Sequence, residues 1–313
     1  MARKQIAGYR IESQLQVVLR RLRRNRMALI SLFVLIAIVL ACILVPILSP
    51  YHFNNNQMGR KNEPPSAEHW LGTDNNGRDV FTRLFYGGRI SLVIGLLVVL
   101  VEVVLGVLIG ACSGYYGGRV DNFLMRMTEI FMSLPYMMVA ITIIAIFGSP
   151  DKARFPGMVA FIKTIGGDVW KISLLVIVMG LLFWPDMARI VRGQVLSIRN
   201  MEYMEACEAL GISDRSRIFK HIMPNVLSSV IVYATLGIAS VILLETALSF
   251  LGLGVDPITP TWGSLIQTAR DVTNIQKRLW LWIPAGGMIF LTVMCFNLLG
   301  DGLRDALDPK SKE

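Results

Sequence analysis

The chain is poor in the groups that do covalent or metal chemistry. Four cysteines and three histidines are scattered over 313 residues. Cys42, Cys112, Cys207 and Cys295 form no C-x-x-C pair. Three of them lie in apolar runs, where cysteine behaves as a small buried hydrophobe, which argues against a disulfide framework or a thiolate zinc site. His52, His69 and His221 make no metal-ligand spacing. No G-x-x-x-x-G-K-[ST] occurs, so the chain has no P-loop for ATP. No H-E-x-x-H or G-x-S-x-G occurs, which argues against membrane proteases and lipases of those kinds. Charge is sparse as well, at 17% Asp, Glu, Lys and Arg, where soluble domains carry about 25%. No polar stretch is long enough to fold alone, no low-complexity tract appears, and no clear internal repeat is seen. The amino terminus lacks the marks of a cleavable signal: its basic region and its apolar run are both too long, and no A-x-A site follows.

What fills the space is apolar sequence. The chain is 54% hydrophobic, with a mean hydropathy of +0.55. Apolar runs of roughly 20 residues recur, the length that crosses ~30 Å of hydrocarbon. Six spans are predicted, at about 27–48, 90–112, 123–147, 172–184, 226–250 and 279–299. Pro135 falls inside the third, Pro185 follows a short fourth, and Pro284 lies near the start of the sixth. The expected organisation is a cytoplasmic amphipathic segment over 1–26, a membrane domain over 27–309 and a tail over 310–313.

The formal net charge is +9, and residues 1–26 hold eight Lys/Arg against one acid, Glu12. Such a cluster before the first span is a topology signal and an anionic-lipid contact rather than a nucleic-acid patch. Leu15, Val18, Leu19 and Leu22 fall at helical spacing within it, as in a helix lying on the membrane surface. With the N-terminus inside, cytoplasmic segments hold 18 Lys/Arg and outer ones 12. Both termini are therefore expected in the cytoplasm.

One polar segment interrupts the apolar pattern. In "EACEALGISDRSRIFKHIMPN", Glu205–Asn225, a helix with the apolar stripe Tyr203, Ala206, Ala209 and Leu210 is expected to stop at Gly211. Ser213 or Asp214 is expected to cap a second short helix, Arg215–Ile222, which Pro224 closes before the fifth span. The pattern E-A-C-x-x-x-G, nine residues, H-I-M-P resembles the EAA motif of membrane subunits of ABC importers. Glu205, Ala206, Gly211 and Pro224 match that motif, while Cys207, His221 and Met223 replace its second Ala, its Ile and its Leu. "HWLGTDNNGRDVFTRLFYGGRISL", "WPDMARIVRGQVL", "ALSFLGLGV" and "FNLLGDGLRDALDP" are similar to the oligopeptide/dipeptide permease family, in its OppC/DppC-type subunit.

The resemblance implies an all-α integral membrane protein of six helices with the type I ABC importer permease fold, in the cytoplasmic membrane of a bacterium. It implies a heterodimer with a second homologous permease, two cytoplasmic ATPases that hold the ATP and Mg, and an extracytoplasmic peptide-binding protein. The chain itself would then be non-catalytic and hold no cofactor. Its segment at Glu205, Ala206, Gly211, Ile212 and Pro224 would be the coupling helix between spans four and five. Related permeases carry nickel complexes or glutathione, so these stand beside peptide as cargo. An ion-coupled secondary carrier is the rival of another class; it calls for repeats and broken midplane helices, neither visible in the sequence.

Four further sites are candidates. Glu102 sits mid-span in the second helix, where an acid normally faces the bundle interior or a wet cavity; it either contacts substrate or makes an internal hydrogen bond. Glu245, in the last turns of the fifth span, either lines the pathway or snorkels to the interface. Met132, Met137 and Met138 flank Pro135, as a gate around a kink or as ordinary packing. Gly72, Thr73, Asp74, Gly77, Arg78 and Asp79 form a stretch that either braces the outer face or docks the binding protein. Asp301 is expected to cap a short terminal helix, Gly302–Leu307, stopped by Pro309, and Arg126 to pair with Glu129.

Overall fold

The structure is a computed structural model, and it describes residues 20–147, 157, 170–255 and 259–307. Most of the expected surface helix before the first span, the short tail and much of the segment between the third and fourth spans lie outside those residues. The described part is helical, with one isolated bridge, Thr73 to Asp79, as its extended pairing.

Among the described residues, five helices are long and apolar enough to cross a membrane: α1 (Arg26–Leu48), α2 (Val80–Tyr116), α5 (Trp170–Arg199), α7 (Asp214–Phe250) and α10 (Ile283–Leu307). A sixth passage is counted when α3 (Gly118–Ser133) and α4 (Tyr136–Phe147) are taken together. α6 (Glu202–Ala209), α8 (Trp262–Ile266) and α9 (Val272–Lys277) are short. In α1 the buried residues are Ala28, Ser31, Leu35, Ile38 and Cys42, a stripe at alternating steps of three and four. Ile30, Phe33, Leu40 and Leu44 on its other faces are exposed. A helix that is apolar all round yet buried on one stripe is built for a lipid surround.

The broadest helix contact joins α2 to α5. Gly106, Gly110 and Gly114 recur every four residues along α2 and face Met187, Ala188, Val191 and Val195. A Cβ at Gly106 would lie 2.5 Å from Met187 Cβ, and one at Gly114 would lie 2.8 Å from Val195 Cβ. Small residues at this spacing let two backbones approach where no hydrophobic force between helices operates. α10 packs on α7 and α1 and closes the other side of the bundle.

Three expected boundaries are overturned. Pro185 does not end a short fourth span but lies inside α5, which continues to Arg199. Pro224 does not close a separate helix and redirect the chain; a π-helical turn at Arg217–Ile222 leads straight into Met223–Phe250. Asp301 caps nothing, because α10 runs through it to Leu307. Proline is tolerated within membrane helices where neighbouring helices and local π adjustments take up the freed backbone groups. The third span departs the other way: its halves meet at 77° across Leu134 and Pro135. The kink expected at Pro135 is thus a full break, placed where proline disfavours helical geometry for the residue before it.

Residues 49–79 form a loop cap on one end of the bundle. Asp79 caps α2 by accepting from Thr82 N and Thr82 Oγ1, both at 2.7 Å, and its other oxygen lies 2.9 Å from Nδ1 of the buried His69. Asp74 accepts from Asn76 N at 2.8 Å, Arg78 N at 3.0 Å and Arg78 Nε at 2.8 Å. Thr73 Oγ1 donates to Arg60 O at 2.5 Å and accepts from Glu63 N at 2.9 Å. Gly72 and Gly77 hold φ of 69° and 75°. On the cap surface, the hydrogen bond from Arg60 holds Glu68 below the usual carboxylate range. The polar atoms of Thr73, Asp74 and Asp79 are thus engaged by the cap itself.

Candidate functional site

The polar segment forms a finger at the end of the bundle opposite the cap. α6 stops where expected. Gly211 has φ 72°; its N–H donates to Glu208 O at 2.9 Å, and the N–H of Ile212 donates to Cys207 O at 3.1 Å. This pair of bonds is a Schellman turn, which requires the left-handed residue that glycine supplies freely. Ser213 is the N-cap of the next turn, without a side-chain capping bond.

Packing chooses which stripe of α6 is buried. Met204 faces inward and joins Ile222 and Val226 against Met187, Val191 and Val195, and Cys207 is buried as well. The expected stripe looks out instead, with Tyr203 at 41% and Leu210 at 80% exposure, beside Phe219 at 64%. Glu205, Ala206, Gly211 and Pro224 are exposed, and Ile212 is half-buried. The finger therefore stands on an apolar foot and presents a second apolar face to its surroundings.

Ionic bonds fix the foot to the spans. Tyr115 at the end of α2 donates its hydroxyl to Asp214 Oδ1 at 2.9 Å. Arg217 donates to Asp214 at 2.6 Å and to Glu208 at 2.9 Å, with its guanidinium 5.8 Å from the Tyr115 ring centre. Nearby, Arg192 of α5 grips Asp121 of α3 with two bonds of 2.5 and 2.6 Å, and Ser113 of α2 donates to the same carboxylate. On α3 the expected pair of Arg126 and Glu129 is present at 3.1 Å and exposed.

Deeper in the bundle a cavity of about 460 Å³ opens at the α3–α4 break. Leu134 and Tyr136 line it from the break, Glu102 from α2, Phe183 and Asp186 from α5, and Tyr233 and Gly237 from α7. Of the four pathway candidates, Glu102 lines this cavity and Pro135 shapes it. Met138 is 68% exposed and lines no part of it, although Met132 does. Glu102 is 8% exposed and makes no hydrogen bond among the described residues. A carboxylate at a membrane helix centre costs roughly 2.5–3.5 kcal/mol, and no described neighbour offsets it.

Glu245 is elsewhere, and neither expected role fits its surroundings. It is 1% exposed near the cap end of α7. Its Oε1 accepts from Ser249 Oγ at 2.8 Å and Thr261 Oγ1 at 2.9 Å, and its Oε2 faces Ser91 Oγ at 3.4 Å. The chain after α7 folds back: Gly252, at φ 88°, ends the helix, and Thr261 caps α8 above the carboxylate. Trp262 fills the space beside it, donating from N to Ser91 Oγ at 3.1 Å and from Nε1 to Leu84 O at 3.0 Å. Glu245 thus neither lines a path nor reaches an interface; it joins three segments.

Asp186 and the Tyr115–Asp214 bond were missed by sequence reasoning. Asp186 lies just past the predicted fourth span, 172–184, so the sequence does not show the helix face it occupies. Tyr115 and Asp214 are 99 residues apart, and no local pattern signals such a contact.

Comparison with known proteins places this geometry. Residues 103–313 match the family model described as binding-protein-dependent transport system inner membrane component. Residues 13–65 match the N-terminal TM domain of oligopeptide transport permease C. The oligopeptide transport system permease protein OppC of Escherichia coli K12 is 41% identical over 295 residues, covering 94% of this chain and 90% of that one. The dipeptide transport system permease protein DppC of Bacillus subtilis 168 is 39% identical over 292 residues, covering 93% and 84%. Among solved structures, an inward-facing form of the MetNI methionine ABC transporter aligns with a TM-score of 0.56 at 15% identity, over 72% of this chain and 96% of that one. That likeness supports the fold.

Proposed function

Since the chain belongs to the binding-protein-dependent transport system inner membrane components, and among them to the peptide permeases of the OppC/DppC type, we propose that it is one of two permease subunits of an ATP-driven importer of oligopeptides or dipeptides. Its relatives are multi-pass inner-membrane transport proteins, and the non-catalytic role follows the family. Partner ATPases then hold ATP and Mg, and a binding protein delivers cargo at the cap end. In this reading both termini and the finger face the cytoplasm, as the arginine cluster before α1 favours.

The observation that carries the reading is the finger. Exposed Tyr203, Leu210 and Phe219, on a foot packed against α5, bonded to α2 and continuous with α7, suit a handle gripped by another subunit. Nucleotide closes the ATPases, the handle moves with them, and the spans rock about the pathway. Differential contacts in the two nucleotide states bias the two orientations.

The test uses the glycine turn. Gly211→Val places a β-branched side chain at φ 72°, while no neighbouring atom lies near its Cβ, so the effect is on backbone geometry alone. The variant should insert and pair with its partner permease normally, lose ATPase co-purification or coupling, and lose most peptide uptake; Gly211→Ala should be milder. Full uptake by Gly211→Val would move the coupling contact elsewhere. Competition of labelled peptide by nickel complexes or by glutathione separates the cargo classes. Outside-only maleimide labelling of Asn55→Cys, in a cysteine-free chain, checks the orientation.

A further inference from the structure

We propose that the cavity at the α3–α4 break is a transit station for the cationic end of the cargo, in which Glu102 and Asp186 receive its primary ammonium group. This rests on the peptide-permease reading and adds the chemistry that the pathway recognises.

Three observations meet here. Glu102 is more than nine-tenths buried, has no hydrogen-bonding partner among the described residues, and borders the cavity. Asp186 borders the same cavity, and no Lys, Arg or His does so among the described residues. Arg189, one turn beyond Asp186, donates to Sδ of Met132, a lining residue, at 3.4 Å and so stands at the edge of the cavity without lining it. Among the described residues its lining thus offers two carboxyl groups and no cation. Phe131, Tyr136, Phe183 and Tyr233 line it too, among aliphatic side chains, and ring faces attract ammonium groups. Its volume of about 460 Å³ lies in the range of small-ligand sites.

The geometry also leaves Glu102 approachable. Gly237 of α7 faces it, and even a Cβ there would sit 3.4 Å from Glu102 Oε2. With glycine the carboxylate is unscreened on that side. A free peptide brings one ammonium whatever its sequence, so a site for that group admits varied side chains. Unlike a binding pocket for a whole peptide, it needs to match one end alone.

The experiment is photo-crosslinking on the purified complex that co-purifies with this chain, without binding protein. The probes are Ala-photoleucine-Ala and its desamino twin, propionyl-photoleucine-Ala, which differ by the ammonium group. The free-amine probe should label cavity residues such as Tyr136 or Tyr233, be competed by Ala-Ala-Ala, and exceed the desamino probe about tenfold. Glu102→Gln should erase most of that preference, Asp186→Asn should reduce it, and Glu102→Asp should retain part of it; co-purified yield verifies that each variant folds. Equal labelling by the two probes, or a preference untouched by Glu102→Gln together with Asp186→Asn, overturns the proposal. Absence of cavity labelling while the complete transporter imports peptide with ATP also overturns it, and leaves the peptide-importer reading standing. Absence of ATP-driven peptide uptake overturns both.

Discussion

Glu102 and Glu245 are both acids on long apolar helices, and both are nearly out of solvent contact, at 8% and 1% exposure. Their surroundings are opposite. Glu245 is met by hydroxyls from α2, from its own helix and from Thr261 at the start of α8. Glu102 meets a cavity, a second carboxylate in Asp186, and no described hydrogen-bond donor. Burial therefore says little about what a membrane carboxylate does; the identity of its neighbours does. A fully bonded acid joins segments, because each bond relieves a polar group that lipid cannot solvate. An acid with free lone pairs costs stability, and its retention in an open cavity points to use.

The contrast can be broken most sharply at Glu245. Glu245→Ala strands hydroxyls of Ser91 and Thr261 and should cost about 2–4 kcal/mol of stability. The expected readout is loss of most membrane-inserted protein and a lowered melting temperature in detergent. If Glu245→Ala were as stable as the parent, Glu245 would not be a structural joint. Glu102→Leu should do the reverse. Replacing an unpaired buried acid by an apolar residue should leave stability unchanged or raise it, by up to about 3 kcal/mol, while peptide uptake falls about tenfold or more. Thr261→Val removes one donor to Glu245 and the cap on α8, and should cost about 1–2 kcal/mol by the same melting assay. Tyr115→Phe should have the smallest effect, about 0.5 kcal/mol, because Asp214 is half exposed and its bond is screened. It should loosen the finger enough to lower peptide-stimulated ATPase activity by less than twofold.

Much of this was legible in the sequence because it is local. Apolar runs disclose the spans, since lipid demands them residue by residue. Gly211 discloses the end of α6, since few other residues sit at positive φ. Thr73 and Asp74 are legible as turn and capping types, and they make such bonds. The misreadings came from treating proline by the rules of water. At Pro185 and Pro224 the missing backbone bond is absorbed within packed helices, one of them by a π turn, so helices expected to stop continue. The span end expected at Pro185 gives Asp186 no helix face; the continuing helix sets it, still exposed, on the cavity wall. Glu245 was misjudged because its depth along the span was readable while the return of Thr261, 16 residues later, was not.

The continuity of α7 has a mechanical meaning. Its 37 residues from Asp214 to Phe250 make a rod of about 55 Å at 1.5 Å per residue. Its first turns are part of the finger, its middle carries Gly237 opposite Glu102, and Glu245 is anchored near its far end. If the rod tilts by about 5° around its middle, each end sweeps about 2.4 Å in opposite senses, while Gly237 near the fulcrum scarcely moves. On the proposed reading, a pull at the finger would be felt as a shear at the cap, while the cavity wall opposite Glu102 stays still.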